Sequence, residues 1–536
     1  MKNSRLLLGW VAAAAALSIT GCGSGPSGEA QPSSGQAVKP ESVVIAVGAL
    51  PDSLTASPWG GSASHVVLSG LGSQLFQYKS GATDAESCST PSTAVTGRLA
   101  ESAVPAADGT GVIVKLRKLT SQFGNTLSAE DVKWSLETGM VRQIVMKGSL
   151  KSSGFNVDNL VTVIDDHTVQ LNTLQMTSFT VESLQNNLFS IYDSKEAKTH
   201  ITPDDPTANK WLSKNLADYS GWKLEEFTPG TSFTVTADPK WEGERGSVKR
   251  VVVKAVPNTS TRAQLIKTGE AQIANGFEYE QYGSMADSSG VSVLKCTSQT
   301  RDTMMFNTKT GPLADEKVRQ AISMAIDRAA LVKGAYSGYG DPSGSIFPTG
   351  DAASTYKFDL DGAKILLSQT QYANGFPLTL SYSVSRPGPV AKSSAVLIQS
   401  MLGKIGIKVD LMNVASPTDF SSALIEGRFQ AVLYSEPIVI ADPAFYTYAF
   451  YATGAPSNTT GWSNPEFDAA RTKLAATPQT NTAERAALLK TMAAIEDKGV
   501  PILSLVQVKG TLAKETGLTG AVPLSNGQVY FNALGK

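Results

Sequence analysis

The first forty residues decide where this chain can fold. Lys2 and Arg5 precede an apolar run, Leu6 to Ile19, that closes on Ile19-Thr20-Gly21-Cys22. The run is too short to cross a bilayer as a helix, and its basic start and small-residue end are those of an export signal. Cleavage before Cys22 leaves a thiol for acylation, so residues 1–21 are expected to be a lipoprotein signal peptide and Cys22 the lipidated residue. An ordinary signal peptide or a transmembrane anchor is the alternative. Gly23 to Pro40 is dominated by Gly, Ser and Pro and cannot bury enough apolar surface to fold, so residues 22–40 read as a tether. The fold is then expected on the extracytoplasmic face of the cell membrane, held there by lipid.

About 500 residues remain, more than one hydrophobic core usually organises, which predicts two or three lobes. Formal net charge is −1, and the 46 basic residues are scattered, which argues against nucleic acid or an anionic lipid surface as the main partner. Beyond Cys22 only Cys88 and Cys296 remain. An oxidising compartment permits them to pair, and two buried thiols are the alternative.

Local patterns outline an α/β chain. Ser42 to Val47 is a β-branched strand running into Pro51-Asp52-Ser53-Leu54, a turn. Val112 to Leu116 alternates as a half-buried strand, and Ser128-Ala129-Glu130-Asp131 forms a capping box ahead of Val132 and Leu136. Val161 to Ile164 and Thr168 to Leu171 flank a polar turn and predict a hairpin. Val251 to Val256, Ser260 to Lys267 with its stop at Gly269, and Gln272 to Ile273 predict a strand–helix–strand unit. Asp315 to Asp327 carries Val318, Ile322, Ala325 and Ile326 on one helical face. Ala395, Ile398 and Leu402 repeat that pattern before the alternating strand Ile407, Val409, Leu411; Ser416-Pro417-Thr418-Asp419 starts a further helix, and Phe429 to Tyr434 follows as a strand.

Catalytic signatures are missing from the sequence. It holds no Gly-x-Ser-x-Gly elbow, phosphate-binding Gly-rich loop ending in Lys-Ser/Thr, or His-Glu-x-x-His zinc motif. The match Gly23-Ser24-Gly25-Pro26-Ser27-Gly28 to a dinucleotide fingerprint lies in the tether with no strand before it. His65, His167 and His200 stand apart from cysteines and from one another. We therefore expect no catalytic residue, no metal site and no cofactor.

Several blocks, in order along nearly the whole mature chain, resemble the solute-binding proteins of ATP-driven (ABC) importers, in the class with dipeptide-, oligopeptide- and nickel-binding members (family 5). They are Gly97-Arg98-Leu99-Ala100-Glu101-Ser102, Val112 to Arg117, Leu127-Ser128-Ala129-Glu130-Asp131-Val132, Trp222-Lys223-Leu224, Trp241-Glu242-Gly243, Phe306-Asn307-Thr308, Val318-Arg319-Gln320-Ala321, Ala325-Ile326-Asp327-Arg328, Ile405 to Val409, Asp442-Pro443, and Asn464-Pro465-Glu466-Phe467-Asp468. The resemblance implies a two-lobed, hinged periplasmic-binding-protein-like α/β fold of class II type with an extra small sheet-rich subdomain. Residues 41–75, 190–306 and 500–536 would form one lobe, 76–189 the subdomain and 307–499 the second lobe. It implies a monomer that closes around a peptide or peptide-like solute and delivers it to membrane permease subunits. A metal chelate or other non-peptide solute is the runner-up; a secreted hydrolase or a chaperone-like surface lipoprotein is the rival from another class.

In peptide-binding members of that family an aspartate three residues before the Asp-Pro holds the peptide's α-ammonium. Here that position is Val439. A buried ammonium without an anion is costly, so Glu436 is expected to supply the charge, with Tyr434 beside it. Trp59, Tyr279 and Tyr282, placed after strands, are further candidates for stacking on the ligand.

Overall fold

Alternation in Ser42–Val47 sends Val43, Ile45 and Val47 into one core and Ala46 into another, so this first strand is covered on both faces. It runs parallel to Arg250–Ala255 on one side and to Ile273–Ala274 on the other. The predicted strand–helix–strand unit is thus present, its crossover helix Thr259–Lys267 passing over the inserted first strand. Asn258 caps that helix by accepting from the Thr261 N–H. The computed structural model describes residues 41–55, 62–78, 95–344, 347, 356–384, 388, 390–436, 440, 442–455, 457–523 and 529–535. The signal peptide, Cys22, the tether, Trp59, Cys88 and Val439 all lie outside the described residues.

One sheet of eleven strands runs through the molecule. Its order is Lys408–Asn413, Pro377–Tyr382, Ala431–Glu436, Val291–Phe306, Ile502–Glu515, Ile273–Ala274, Ser42–Val47, Arg250–Ala255, Ser232–Ala237 and Trp222–Thr228, with Gly340–Pro342 paired to Ile502–Glu515 as the eleventh. The cores fall into separate groups along it. Val43 to Cys296 with Leu512 to Leu534, joined by Tyr339, supply two clusters around the first strand, whereas Met304 to Val506, joined by Phe179, supply two others, one on each face of the strands Ala431–Glu436 and Val291–Phe306. A third region, with its own core from Leu75 to Ile191 plus Tyr219 and Trp241, is built on the four-stranded antiparallel sheet Ala100–Pro105, Gly111–Leu116, Thr168–Asn172, Val161–Asp165.

The two long strands Val291–Phe306 and Ile502–Glu515 carry the sheet from one group of cores to the other. Val291, Leu294 and Cys296 pack with the first group, Met304, Met305 and Phe306 with the second. Between these stretches the antiparallel register slips, between Thr297 and Arg301 and again between Asp302 and Thr303. Such irregularities interrupt the ladder and bend the strand where they occur.

Capping chemistry fixes the helix starts, at Ser128 and Ser416 as the local patterns predict. Ser128 and Asp131 form the capping box of Ala129–Arg142, Ser416 caps Pro417–Ile425, and Asn464 caps Pro465–Ala476. The predicted helix over 315–327 is instead Glu316–Ala325 followed by a break at Ile326 and a new helix, Arg328–Ala335, capped by Asp327. Val318, Ile322, Ala325 and Ile326 are nonetheless all buried in one core.

Candidate ligand site

In Ala431–Glu436, Ala431 and Leu433 enter the core on one face of the sheet, while Val432 and Tyr434 enter the core on the other. Two-residue periodicity puts Glu436 on the Tyr434 face. Arg301 sits directly opposite Glu436 on the neighbouring strand. Its Nη2 lies 3.5 Å from Glu436 Oε2, with both side chains fully buried. The Tyr446 hydroxyl, from helix Pro443–Tyr451, donates to the same carboxylate oxygen. The Arg301 guanidinium also lies 4.4 Å from the Tyr446 ring centroid, so the cation is held by a carboxylate and an aromatic face together. Phe450 packs against both Tyr434 and Tyr446. Glu496, from helix Thr482–Gly499, is close enough to act on Arg301 and Glu436, and burial pushes its carboxyl well above the usual range.

This arrangement differs from the expected one at Glu436. A charge anchor for a ligand ammonium needs a carboxylate presented to the ligand. Here the carboxylate has no solvent exposure and already meets a guanidinium, which supplies its counter-charge, and a phenol, which donates to it. Tyr434 lies two residues before it on the same strand, buried in the core of that face.

Tyr279 and Tyr282 are placed elsewhere. Both lie on helix Tyr279–Ala286 and pack against Tyr339, Tyr279 stacked on it at 5.6 Å between centroids. Tyr279 also meets Tyr336, whose core is on the face of the sheet opposite Tyr434. The phenol of Tyr336 donates to Asp302 Oδ2 at 2.7 Å, and burial raises the Asp302 carboxyl to about 6. Arg301 and Asp302 are consecutive in a strand and so point to opposite faces, one into each cluster. The structure therefore joins Tyr434 with Glu436 and separates both from Tyr279 and Tyr282. Arg301, Tyr446 and Asp302 were not anticipated. The available signal was two adjacent charges, Arg301-Asp302, running straight into the apolar Met304-Met305-Phe306.

Asp442, of the Asp-Pro pair, serves the fold. It accepts from the Ala444 N–H as the cap of Pro443–Tyr451, and both of its oxygens lie 2.8 Å from Arg485 Nη2. A cavity of about 540 Å³ opens elsewhere, between Glu316, Trp462, Lys490 and Lys498, and none of the expected ligand residues lines it. Among the described residues no group of three or more His, Cys, Asp or Glu side chains is placed to hold a metal ion, and no helix is long and apolar enough to cross a membrane. Cys296 is disulfide-bonded, and its two possible partners, Cys22 and Cys88, are outside the described residues.

Residues 94–458 match the model of bacterial extracellular solute-binding proteins, family 5, and the chain belongs to that family. It is 27% identical over 366 residues to the probable D,D-dipeptide-binding periplasmic protein DdpA of Escherichia coli K12, covering 67% of this chain and 69% of the relative. It is 25% identical over 462 residues to heme-binding protein A of Haemophilus influenzae, covering 82% and 81%. Among solved structures, the periplasmic binding protein DppA of Helicobacter pylori with the peptide STSA superposes with a TM-score of 0.76 at 22% identity, over 92% of this chain and 97% of that one. NikA of Staphylococcus aureus with Ni(L-His)2 superposes with a TM-score of 0.72 at 18% identity, over 92% and 99%. The fold is that of the two-lobed periplasmic binding proteins, α/β with separate small sheets.

Proposed function

We propose that this protein is the lipid-anchored binding component of an ABC importer, closing around a peptide or peptide-like solute between its lobes and passing it to a membrane permease. The observation that carries the reading is the strand pair Val291–Phe306 and Ile502–Glu515, which joins two groups of cores through a slipped register and gives the lobes a defined place to bend. Hinge closure shifts a population because ligand touches both lobes only in the closed state. With Val439 at the family's aspartate position and Glu436 neutralised by Arg301, the solute is one whose recognition does not rest on a free α-ammonium in that place. That same feature supports a second reading, a metal chelate or other non-peptide solute, in line with the heme- and nickel-binding names among its relatives.

Native mass spectrometry of protein purified without denaturation, followed by calorimetry with short peptides in free and N-acetylated form, tests the proposal. Retention or binding of a peptide-like solute with similar affinity in both forms is expected. Strong binding of free peptides alone would overturn the charge argument, and a retained chelate with no peptide binding would replace the first reading by the second. Anchoring is tested separately. Cys22→Ala is expected to release a folded protein from membranes, and a variant that stays bound at high salt would refute the lipid anchor.

A further inference from the structure

The segment Thr177–Ser183 reaches from the small-sheet region into the second group of cores. On its own side it is tied down by Thr180, whose hydroxyl donates to the Ser153 carbonyl at 2.8 Å, and by Glu182, which accepts from the Tyr78 phenol at 3.0 Å. On the other side Phe179 is buried in a core whose remaining members all come from Met305 to Ile502, its ring edge-on to Phe445 at 5.6 Å. Hydrogen bonds surround this plug. The Ser178 N–H donates to the Ala475 carbonyl at 2.8 Å, and its hydroxyl donates to Asp442 Oδ2 at 2.9 Å. Gln479 Nε2 lies 3.0 Å from the Ser178 carbonyl, 3.2 Å from Asp442 Oδ2 and 3.4 Å from Glu182 Oε2. Asp442 and Arg485 are themselves a buried ion pair that belongs wholly to the second region. Asp442 is also held by the Ala444 N–H and Arg485 by the Leu474 and Thr477 carbonyls, all within the second region, so the acceptor that Ser178 meets is positioned by contacts other than Ser178.

We propose that Ser178, Phe179 and Gln479 form a closure latch: they fasten the small-sheet region to the second lobe and set solute affinity by biasing the open–closed equilibrium, without touching solute. The inference rests on the hinged-closure reading above. Opening would withdraw Phe179 from an apolar core and leave the Asp442 carboxylate short of one charge-assisted donor, so the contact favours the closed state. The empty protein is taken to populate the closed form, so a factor lost from the closure constant both opens the empty protein and raises the dissociation constant by up to that factor. Ser178 and Gln479 are thus positioning residues, and their substitution acts mainly on solute release.

The test uses the full mature chain with Ser178→Ala, Gln479→Ala and the pair combined. A hydrogen bond to a charged acceptor is worth about ten- to a hundredfold in an equilibrium constant, so that is the expected rise in off-rate for Ser178→Ala, with the on-rate nearly unchanged. The probe is the tetrapeptide Ser-Thr-Ser-Ala, and two further readouts need no solute. In the double variant, amide exchange at Ser178 should accelerate by a similar factor and small-angle scattering should report a larger radius for the empty protein, while its melting temperature stays within a few degrees. Unchanged exchange and unchanged scattering in the double variant would overturn the latch. Failure of the tetrapeptide to bind bears on the functional reading alone, because the solute-free readouts still decide the latch.

Discussion

Glu436→Gln separates a structural carboxylate from a ligand anchor. The substitution keeps the side chain's size and leaves an acceptor for the Tyr446 hydroxyl, yet strips the Arg301 guanidinium of its counter-charge at a site with no solvent exposure. Removing one partner of a buried pair costs about 3–5 kcal/mol, because the remaining charge is left uncompensated. Burial holds the Glu496 carboxyl toward its neutral form and the Glu436 charge adds to that effect, so without Glu436 it ionises more readily beside Arg301, and the lower end, about 3 kcal/mol, is expected. At about 2 cal/mol/K of unfolding entropy per residue, a chain of about 500 residues then loses roughly 3 °C in melting temperature. Salt screens buried charges poorly, so the loss should persist at about 1 M salt. Solute affinity should change little. Arg301→Met combined with Glu436→Leu removes both charges and should recover much of the loss, since apolar replacement of a whole buried pair is often close to neutral. Differential scanning calorimetry of the three proteins, with titration calorimetry of the single variant against whatever solute the wild type retains, decides it. A Glu436→Gln protein that melts like wild type but binds solute about 2–5 kcal/mol more weakly would refute the reasoning and restore Glu436 as the anchor.

Two further outcomes are expected. Cys296 should resist thiol labelling in the native, non-reduced protein and become reactive after reduction and unfolding; we propose Cys88 as its partner, so Cys88→Ser should expose a Cys296 thiol, and continued protection of Cys296 in that variant would point away from Cys88. Burial raises the Asp302 carboxyl from 3.8 to about 6, so the folded state holds that proton more tightly than the unfolded chain does. The resulting penalty is absent below about pH 4, grows as pH rises through about 6 and is complete above it, reaching no more than about 3 kcal/mol for roughly two units. Asp302→Asn, which keeps an acceptor for the Tyr336 phenol, should therefore stabilise the protein at about pH 7.5 relative to wild type and not at about pH 4; urea unfolding that shows the same difference at both values would count against a desolvated carboxyl there.

Features set by the nearest few residues were legible in the sequence. Ser128 with Asp131 and Ser416 before Pro417 both cap helices where their spacing says they should, because a cap is satisfied by N–H groups two or three residues away. Two residues of the resemblance blocks also serve the fold: Asp442 caps Pro443–Tyr451, and Arg319 is buried against the carbonyls of Leu313 and Gly499. The site was harder to read because its residues are brought together by sheet register. Glu436 looks like a loop acid beside a tyrosine until it is known that Arg301 stands opposite it across two strands, and Tyr279 and Tyr282 look like ligand aromatics until the face they pack on is known. A charge met in a sequence carries no sign of whether its partner will come from the solute or from a distant strand. Here the pairing goes inward twice, Glu436 to Arg301 and Asp442 to Arg485, and both pairs stand on Pro443–Tyr451, the first through Tyr446 and the second at its cap. That helix therefore links the buried Arg301–Glu436 pair, beside the slipped register of Val291–Phe306, to the contact made by Ser178.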